Sequence, residues 1–202
     1  MTYEKFSADN AAMLLIDHQV GTMSWVKSIP FDGMKRNALM LAQTARILKL
    51  PVVLTSSMEE YAQGPLLSEL KAILPAEFSA RIKRSGIVNA MDDKNFAAAV
   101  KATGRKKLIV AGVTNDVCTV YPALSLVRES FEVQVVADAG GSPTKMSDDI
   151  SLRRMERGDV TLTTTNQLIA DDRRHSRQRN PSLFWRSCLG AFRRRRRGLH
   201  RH

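Results

Sequence analysis

Short, almost entirely apolar segments alternate along this chain with longer segments of helical periodicity, and this alternation limits the fold more than any other feature. The segments Ala12–Ile16, Lys107–Gly112 and Phe131–Ala137 have few polar residues on either face. Strands that are apolar on both faces are typical of parallel sheets covered by helices on both sides. The alternation therefore predicts one α/β domain with a six-stranded, doubly wound parallel sheet.

The remaining elements follow from the same periodicity and from the residues that begin and end helices. The other predicted strands are Pro51–Leu54, Arg81–Arg84 and Val160–Thr164. The predicted helices are residues 32–49, 66–74, 92–102, 116–129, 147–157 and 166–170. In such sheets the reactive groups lie beyond the carboxyl ends of the strands, so the residues at those ends are the ones to examine.

Charge divides the chain into two parts. The 202 residues include 31 Lys and Arg and 20 Asp and Glu, which gives a net charge of +11. Residues 1–172 hold 20 of the basic and all 20 of the acidic residues, whereas residues 173–202 hold the other 11 basic residues, all Arg. We therefore predict a neutral folded domain over residues 1–172 and an Arg-rich tail over residues 173–202 that is disordered or weakly helical.

The tail has two interpretations. Its abrupt start and its Arg-only composition fit a frameshifted or otherwise altered C-terminus, in place of the continuing last helix. Alternatively, the tail contacts RNA, DNA or an anionic membrane through charge alone, without sequence specificity. The neutral domain argues against a protein that binds nucleic acid over its whole folded surface.

Cysteine content and hydropathy favour the reducing cytoplasm. Only Cys118 and Cys188 are present, so a disulfide framework is not expected. No apolar run is long enough to predict a transmembrane segment. The first residues lack the basic and then apolar layout of a signal peptide.

Three kinds of reactive side chain follow different predicted strands. Asp17 ends the first strand, Lys83 and Arg84 end the third, and Cys118 lies in the first turn of the helix after the fourth. Because parallel strands end at the same edge of a sheet, we expect an acid, a cation and a thiol to meet there. Each residue alone is equally well explained as a packing, turn or surface residue.

The combination predicts covalent acyl transfer through a thioester. The positive end of the helix dipole favours the thiolate, which predicts a low pKa for Cys118. Asp17 can take the thiol proton, and a cation from Arg84 or Lys83 can hold that carboxylate in place. Backbone N–H groups in the turn 112–118 can face a developing oxyanion.

Three segments resemble the signature regions of the isochorismatase-like cysteine hydrolases. They are Met13–Gln19, Arg84–Asp92 and Lys107–Thr119, and the stretch Val133–Asp138 is also similar. The resemblance covers roughly residues 9–170 and is closest to the YcaC-type branch. The superfamily includes nicotinamidases and N-carbamoylsarcosine amidases.

The resemblance implies a three-layer α/β/α fold and an Asp-Lys-Cys catalytic triad. By position, Asp17 corresponds to the general base and Cys118 to the nucleophile. Arg84 takes the lysine position, with Lys83 as the alternative catalytic cation, and only one of these two neighbours can face the site.

The resemblance also implies a non-proline cis peptide between Val113 and Thr114. It implies an oxyanion hole formed by the backbone N–H groups of Thr114 and Cys118. Relatives are often oligomers, so the resemblance favours a homo-oligomer.

No metal and no cofactor are predicted. Nicotinamidases hold a metal through His and Asp residues after the second strand, but the loop Ser56–Gly64 contains no histidine, and His18 is the only histidine before the tail. Nicotinamide is therefore a poor substrate candidate, whereas Cys118 favours an amide or a related acyl compound. The candidate substrate-binding residues, each of which also has a structural explanation, are Trp25, Phe31, Tyr61 (also considered as a contribution from a neighbouring subunit) and Asn115.

Two functions are therefore expected. The first is a metal-independent cysteine hydrolase that cleaves a small amide or related acyl compound. The alternative is a non-catalytic scaffold of the same fold whose basic tail attaches to nucleic acid or to an anionic membrane.

Overall fold

A six-stranded, entirely parallel sheet forms the centre of the protein. The computed structural model describes residues 6–175, and the side chains of residues 6–171. The strands are β1 (Ala11–Ile16), β2 (Val52–Ser57), β3 (Ile82–Arg84), β4 (Lys107–Gly112), β5 (Glu132–Val136) and β6 (Thr161–Thr163). Their order across the sheet is β3-β2-β1-β4-β5-β6, with every neighbouring pair parallel.

Helices connect successive strands, as parallel pairing requires. The α-helices are α1 (Val20–Ser24), α2 (Phe31–Leu48), α3 (Ser68–Ile73), α4 (Pro75–Ser79), α5 (Lys94–Ala102), α6 (Val120–Arg128), α7 (Lys145–Arg157) and α8 (Thr165–His175). A π-helical turn, Asn115–Thr119, precedes α6, and single 3-10 turns lie at Ala90–Asp92 and Ala137–Ala139. None of the described helices is both long and apolar enough to cross a membrane.

The sheet is buried on both faces because alternate residues of each strand feed two separate cores. Along β1, Met13 and Leu15 join one core, whereas Leu14 and Ile16 join the other. Apolar residues of α2, α3 and α8 pack on the first side, and those of α5, α6 and α7 pack on the second. This is the predicted three-layer α/β/α arrangement, and the fold prediction is confirmed.

The chain reverses its direction across the sheet between β1 and β4. From β1 it builds outward through β2 to β3, and it then returns to β4 on the other side of β1. Beyond the carboxyl ends of β1 and β4 the connecting helices diverge to opposite faces, which leaves a crevice at this switch point. Asp17 directly follows β1, and the turn that carries Cys118 follows β4.

Two glycines allow the loops at this edge to pack closely. A Cβ on Gly112, the last residue of β4, would lie 2.7 Å from Oγ1 of Thr119. A Cβ on Gly140, after β5, would lie 2.3 Å from the carbonyl oxygen of Gly112 and 2.4 Å from Oδ1 of Asn115. Any larger residue at either position would displace the turn that carries Cys118.

Several boundaries differ from the sequence prediction. The predicted helix 66–74 corresponds to α3 alone, and the short helix α4 that follows from Pro75 was not predicted. The predicted helix 116–129 begins as the π-helical turn. Helix α8 ends at His175, so three residues of the predicted tail are helical. The rest of the tail lies outside the described residues, and its nucleic-acid or membrane contact stays a prediction.

Candidate active site

Asp17 ends β1 in a left-handed conformation. Its φ is 57°, a region that Asp tolerates better than most residues. Its N–H donates to the carbonyl oxygen of Thr55 on β2 at 3.0 Å. The side chain is 1% exposed, so its carboxyl group depends on protein partners for stabilisation.

Arg84 is that partner, although it comes from a strand two positions away. It ends β3, which β2 separates from β1, a lateral distance of about 10 Å. Its long side chain crosses β2 and forms a buried ion pair through Nη2 with Oδ2 of Asp17. A second guanidinium nitrogen, Nη1, donates to the carbonyl oxygen of Ile87.

Thr55 on the intervening strand supports this long reach. Its Oγ1 accepts a hydrogen bond from Nε of Arg84 at 3.0 Å and donates to the carbonyl oxygen of Ile82 at 2.8 Å. Thr55 therefore contacts both members of the ion pair, through its carbonyl oxygen and through its hydroxyl. The sequence analysis missed this residue because its second strand ended at Leu54, whereas β2 continues through Thr55 to Ser57.

Lys83 faces the other way, as the alternation of a strand requires. Its side chain is 57% exposed, and its Nζ lies 3.0 Å from Oε2 of Glu59. Arg81 binds the same carboxylate through Nε at 2.6 Å and Nη2 at 3.0 Å. The alternative placement of Lys83 beside Asp17 is therefore wrong, and Arg84 occupies that position.

Cys118 lies in the π-helical turn that leads from β4 into α6. It is partly exposed and unpaired. Its thiol lies close enough to the Asp17 carboxylate for each group to shift the pKa of the other. Oδ1 of Asp17, the oxygen that Arg84 does not bind, has no partner of regular hydrogen-bond geometry. The structure thus brings Asp17, Arg84 and Cys118 together, from three strands.

The pKa values of the acid and of the thiol are both raised. Burial raises the pKa of Asp17, against the opposing effects of Arg84 and of the thiol. Burial and the neighbouring Asp17 carboxylate raise the pKa of Cys118, against smaller opposing effects of the Thr114 N–H and of Arg84. The expected low thiol pKa is therefore wrong, because desolvation and a like charge outweigh the dipole of one short turn.

The backbone before Cys118 has the cis peptide that the resemblance implied, between Val113 and Thr114. The Thr114 N–H faces the Cys118 sulfur and stabilises its thiolate form. Among the described residues this N–H donates to no carbonyl oxygen. Its neighbour differs, since the N–H of Asn115 donates to the carbonyl oxygen of Gly141 at 2.7 Å.

Asn115 has a structural position. Thr114, and not Asn115, is the N-cap of the turn. The Asn115 side chain is fully buried, and its Nδ2 donates to the carbonyl oxygen of Ala137 at 3.2 Å and to Asp148 at 3.1 Å. The buried position of Asn115 gives no support to the predicted substrate contact.

Three aromatic candidates lie on the surface at this edge of the sheet. Trp25 follows α1, Phe31 begins α2, and Tyr61 lies in the loop after β2. All three are exposed, Tyr61 most of all at 67%. Their role in substrate binding stays a prediction.

His18 and Gln19 are buried behind Asp17. Nε2 of His18 lies 2.8 Å from the carbonyl oxygen of Ala139, and burial lowers the pKa of His18 to about 4. Nε2 of Gln19 donates to the carbonyl oxygen of Ser57, and its Oε1 accepts from the Ser57 N–H, both at 2.8 Å. Gln19, which sequence reasoning also missed, thus attaches the loop after β2 to the end of β1.

Within the described part of the chain, no group of three or more His, Cys, Asp or Glu residues is arranged to hold a metal ion. Two surface grooves, of about 430 and 410 Å³, lie beside β2 and between α6 and α7. Neither groove is lined by Asp17, Arg84 or Cys118.

The fold and this site define an α/β protein that joins a thiol, a carboxylate and a guanidinium at the carboxyl edge of a parallel sheet. A family model described as the Isochorismatase domain matches residues 11–167. The chain therefore belongs to the isochorismatase family of hydrolases.

Individual relatives fall in the expected YcaC-type branch. Probable hydrolase YcaC of Escherichia coli strain K12 is 42% identical over 162 residues, which span 80% of this chain and 77% of that protein. The structure of YcaC from Pseudomonas aeruginosa with hexane-2,5-diol and covalent acrylamide has a TM-score of 0.87 and 36% identity, and covers 100% of both chains. The YcaC structure from Escherichia coli, described as an octameric hydrolase of unknown specificity, has a TM-score of 0.87 and 37% identity, and covers 98% of this chain and 97% of that chain.

Proposed function

We propose that the protein is a metal-independent cysteine hydrolase that cleaves a small amide or related acyl compound through a thioester on Cys118. The observation that carries the proposal is the buried ion pair of Asp17 and Arg84 next to the thiol of Cys118, a half-buried residue. A buried ion pair is a costly arrangement for stability alone. Here it places a carboxylate oxygen without a regular partner beside the sulfur.

The charge balance of the site supports proton transfer from the Cys118 thiol to the Asp17 carboxylate. With Asp17 ionised and Cys118 protonated, Arg84 neutralises the single negative charge. Transfer of the thiol proton to Asp17 moves that charge to sulfur and keeps the total at zero. Loss of both protons would leave a net negative charge in a buried site, which agrees with the raised pKa of both groups.

The reaction then follows in two halves. The Cys118 thiolate attacks the acyl carbon, and the carbonyl electrons move to oxygen, where the N–H groups of Thr114 and Cys118 stabilise the oxyanion. Collapse expels the leaving amine, which takes the proton from Asp17. A water molecule next attacks the thioester, Asp17 takes its proton, and the released thiolate recovers that proton as the acid product leaves.

A covalent adduct in a similar protein adds support to the proposal. The Pseudomonas aeruginosa relative carries covalent acrylamide, an amide joined to an electrophilic carbon. Reaction with such a compound requires a nucleophilic side chain. In this chain, Cys118 is the described cysteine in the candidate active site that can act as this nucleophile.

An acyl-transfer assay tests the proposal. We expect p-nitrophenyl butyrate to leave a butyryl group on Cys118, detected by mass spectrometry of quenched protein, and to be hydrolysed catalytically. Cys118→Ala should lose both the adduct and the hydrolysis, whereas Cys188→Ala, which removes the other cysteine, should keep them. Absence of the adduct in the wild-type protein, or unchanged hydrolysis in Cys118→Ala, contradicts the mechanism.

We also propose that the protein is a homo-oligomer. The Escherichia coli relative is octameric, and this chain exposes the aromatic side chains of Trp25, Phe31 and Tyr61. Light scattering after size exclusion should give a mass that is a multiple of the chain mass. A monomer at micromolar concentration contradicts this proposal.

A further inference from the structure

The turn that carries Cys118 is held at its start by contacts from other parts of the chain. Among the described residues, its N-cap, Thr114, provides no capping side-chain hydrogen bond. The first residue of the turn, Asn115, instead donates its N–H to the carbonyl oxygen of Gly141 at 2.7 Å. Helix starts are usually stabilised by the N-cap side chain, so here the tertiary contacts of Asn115 take over that task.

Two acceptors fix the orientation of the Asn115 amide. Its Nδ2 donates to the carbonyl oxygen of Ala137 at 3.2 Å and to Oδ1 of Asp148 at 3.1 Å. Only the nitrogen of a side-chain amide can donate, so rotation of this group would turn its oxygen toward both acceptors. The buried Oδ1 of Asn115 has no hydrogen-bond partner in the described chain. The amide therefore keeps its two donated bonds at the cost of an unsatisfied oxygen.

Asp148 joins this turn to a second loop. It lies in the first turn of α7, and the oxygen that Asn115 binds also accepts a hydrogen bond from the Ser142 hydroxyl at 2.8 Å. Helix α7 does not need this carboxylate to begin, because the side chain of Thr144 accepts from the Ser147 N–H in a capping box. The two hydrogen bonds of Asp148 thus lead away from its own helix.

Any effect of Asp148 on the Cys118 sulfur passes through the position of the turn. Asn115 and Cys118 are three residues apart in the same π-helical turn. Burial and the Asp17 carboxylate are the main causes of the raised pKa of Cys118, and Asp148 is not among the causes. The contribution of Asp148 is therefore expected from its hydrogen bond to Asn115 and not from its charge.

We propose that Asp148 is a positioning residue, which holds the Cys118 sulfur beside Asp17 by fixing the side chain of Asn115. This inference rests on the proposed hydrolase function and adds a residue that acts on the turn, not on the reacting atoms. An acceptor oxygen at the place of Oδ1 is the property that the site requires.

Two conservative variants separate hydrogen bonding from charge. Asp148→Asn removes the charge but keeps an oxygen that can accept both hydrogen bonds, whereas Asp148→Glu keeps the charge and moves its oxygens by one methylene group. With p-nitrophenyl butyrate, we expect kcat of Asp148→Asn to stay within about threefold of wild type. Asp148→Glu and Asp148→Ala should lower kcat by about tenfold to 10²-fold, because a displacement of about 1 Å misaligns the nucleophile. KM should change by less than about twofold.

Asp149→Ala is the matched control. Asp149 is the next residue of α7, but its carboxylate pairs with Lys145 on the same helix. We expect its kcat to equal that of wild type. An equal loss in Asp148→Asn and Asp148→Glu, or in Asp149→Ala and Asp148→Ala, overturns the proposal.

The thiol pKa of Cys118 provides a readout that a loss of stability alone would not change. It is measured as the rate of iodoacetamide alkylation against pH, in full-length protein with Cys188→Ala so that one cysteine reacts. We expect a lower thiol pKa in Asp148→Glu, because a displaced sulfur is less buried and farther from Asp17. Asp148→Asn should keep the wild-type value. Urea unfolding checks each variant, and the Asn and Glu variants decide the proposal even where Asp148→Ala does not fold.

The outcomes separate the two proposals. If p-nitrophenyl butyrate leaves no adduct on Cys118 of the wild-type protein, the hydrolase mechanism fails, and the alkylation comparison still tests whether Asp148 positions the sulfur. If the adduct forms but Asp148→Glu matches wild type in kcat and in thiol pKa, the mechanism stands and the positioning role of Asp148 is wrong.

Discussion

Two carboxylate–cation clusters lie on opposite sides of β3, and the pKa values of their carboxyl groups are shifted in opposite directions. On the inner side, Arg84 holds Asp17 in a buried pair beside Cys118. On the outer side, Arg81 and Lys83 hold Glu59, whose side chain is 8% exposed. The pKa of Asp17 is raised, whereas hydrogen bonds from Arg81 lower the pKa of Glu59 to about 2.

The difference follows from the depth of burial together with the number of partners. Glu59 is bound by Arg81, Ser56 and Lys83, and these hydrogen bonds outweigh the loss of water, so the acid becomes stronger. At Asp17 the loss of water outweighs the guanidinium of Arg84. The outer cluster is suited to joining the loop after β2 to β3, and the inner cluster to exchanging a proton with a thiol.

The largest expected difference between the clusters is in catalysis. Asp17→Asn should lower hydrolysis of p-nitrophenyl butyrate by about 10²-fold to 10⁴-fold, the usual contribution of a general base. The same change should lower the thiol pKa of Cys118, because it removes the negative charge that raises it and leaves Arg84 in place. The rate of iodoacetamide alkylation against pH measures this pKa. Glu59→Gln is the matched control, and a thiol pKa that stays the same or rises in Asp17→Asn contradicts the assigned cause.

The second difference is in stability, and adjacent residues provide the comparison. Arg84→Met leaves a buried carboxylate unpaired and should lower the free energy of unfolding by about 3–5 kcal/mol. Lys83→Met removes one partner of an exposed pair and should cost less than about 1 kcal/mol. Urea denaturation measures both values. Similar losses for the two variants would mean that the inner ion pair is not desolvated as described.

The third prediction concerns the free energy of unfolding at acid pH, where His18 contributes. His18, buried behind the inner cluster, has its pKa lowered to about 4 from an unfolded value of 6.5. The unfolded chain then binds more protons, so stability falls as pH decreases from 6.5 toward 4, by about 3 kcal/mol in total. His18→Gln should remove this part of the slope. An unchanged slope between these pH values contradicts the neutral, buried state of His18.

The smallest expected effect belongs to the outer cluster. Because the folded pKa of Glu59 is depressed from 4.5 to about 2, its contribution is present above pH 4.5 and is lost as pH falls through 2. Glu59→Gln should cost about 1 kcal/mol at neutral pH, since the amide oxygen still accepts a hydrogen bond and only the charge is lost. Comparison of the unfolding free energies at neutral pH and at pH 2 measures it. A loss that persists unchanged at pH 2 would assign the effect to packing instead of charge.

The sequence was sufficient for the architecture because burial leaves a direct pattern in it. Continuous apolar segments predict strands covered on both faces, and strand polarity then places Asp17, Arg84 and Cys118 at one edge. Alternation along β3 predicts that only one of Lys83 and Arg84 faces inward. The structure was needed to show that this residue is Arg84.

Other features depend on distances that no local pattern contains. The support that Thr55 gives to Arg84 arises from the order of strands, in which β2 lies between β3 and β1. The pKa of Cys118 was predicted in the wrong direction because a local dipole can be inferred from sequence, whereas desolvation and the proximity of Asp17 cannot. The buried contacts of Asn115 could not be predicted for a similar reason, since its partner Asp148 belongs to α7.

The close packing of backbone and side chains against Gly112 and Gly140 affects which homologues can keep the activity. Neither glycine has a positive φ, so space alone requires the absence of a side chain. A single alanine codon at either site would leave all the reactive side chains in the sequence and still move the sulfur away from its carboxylate. Homologues that have lost activity are therefore to be recognised by these two positions as well as by a missing thiol, and a genome survey that counts only reactive residues would classify them as active enzymes.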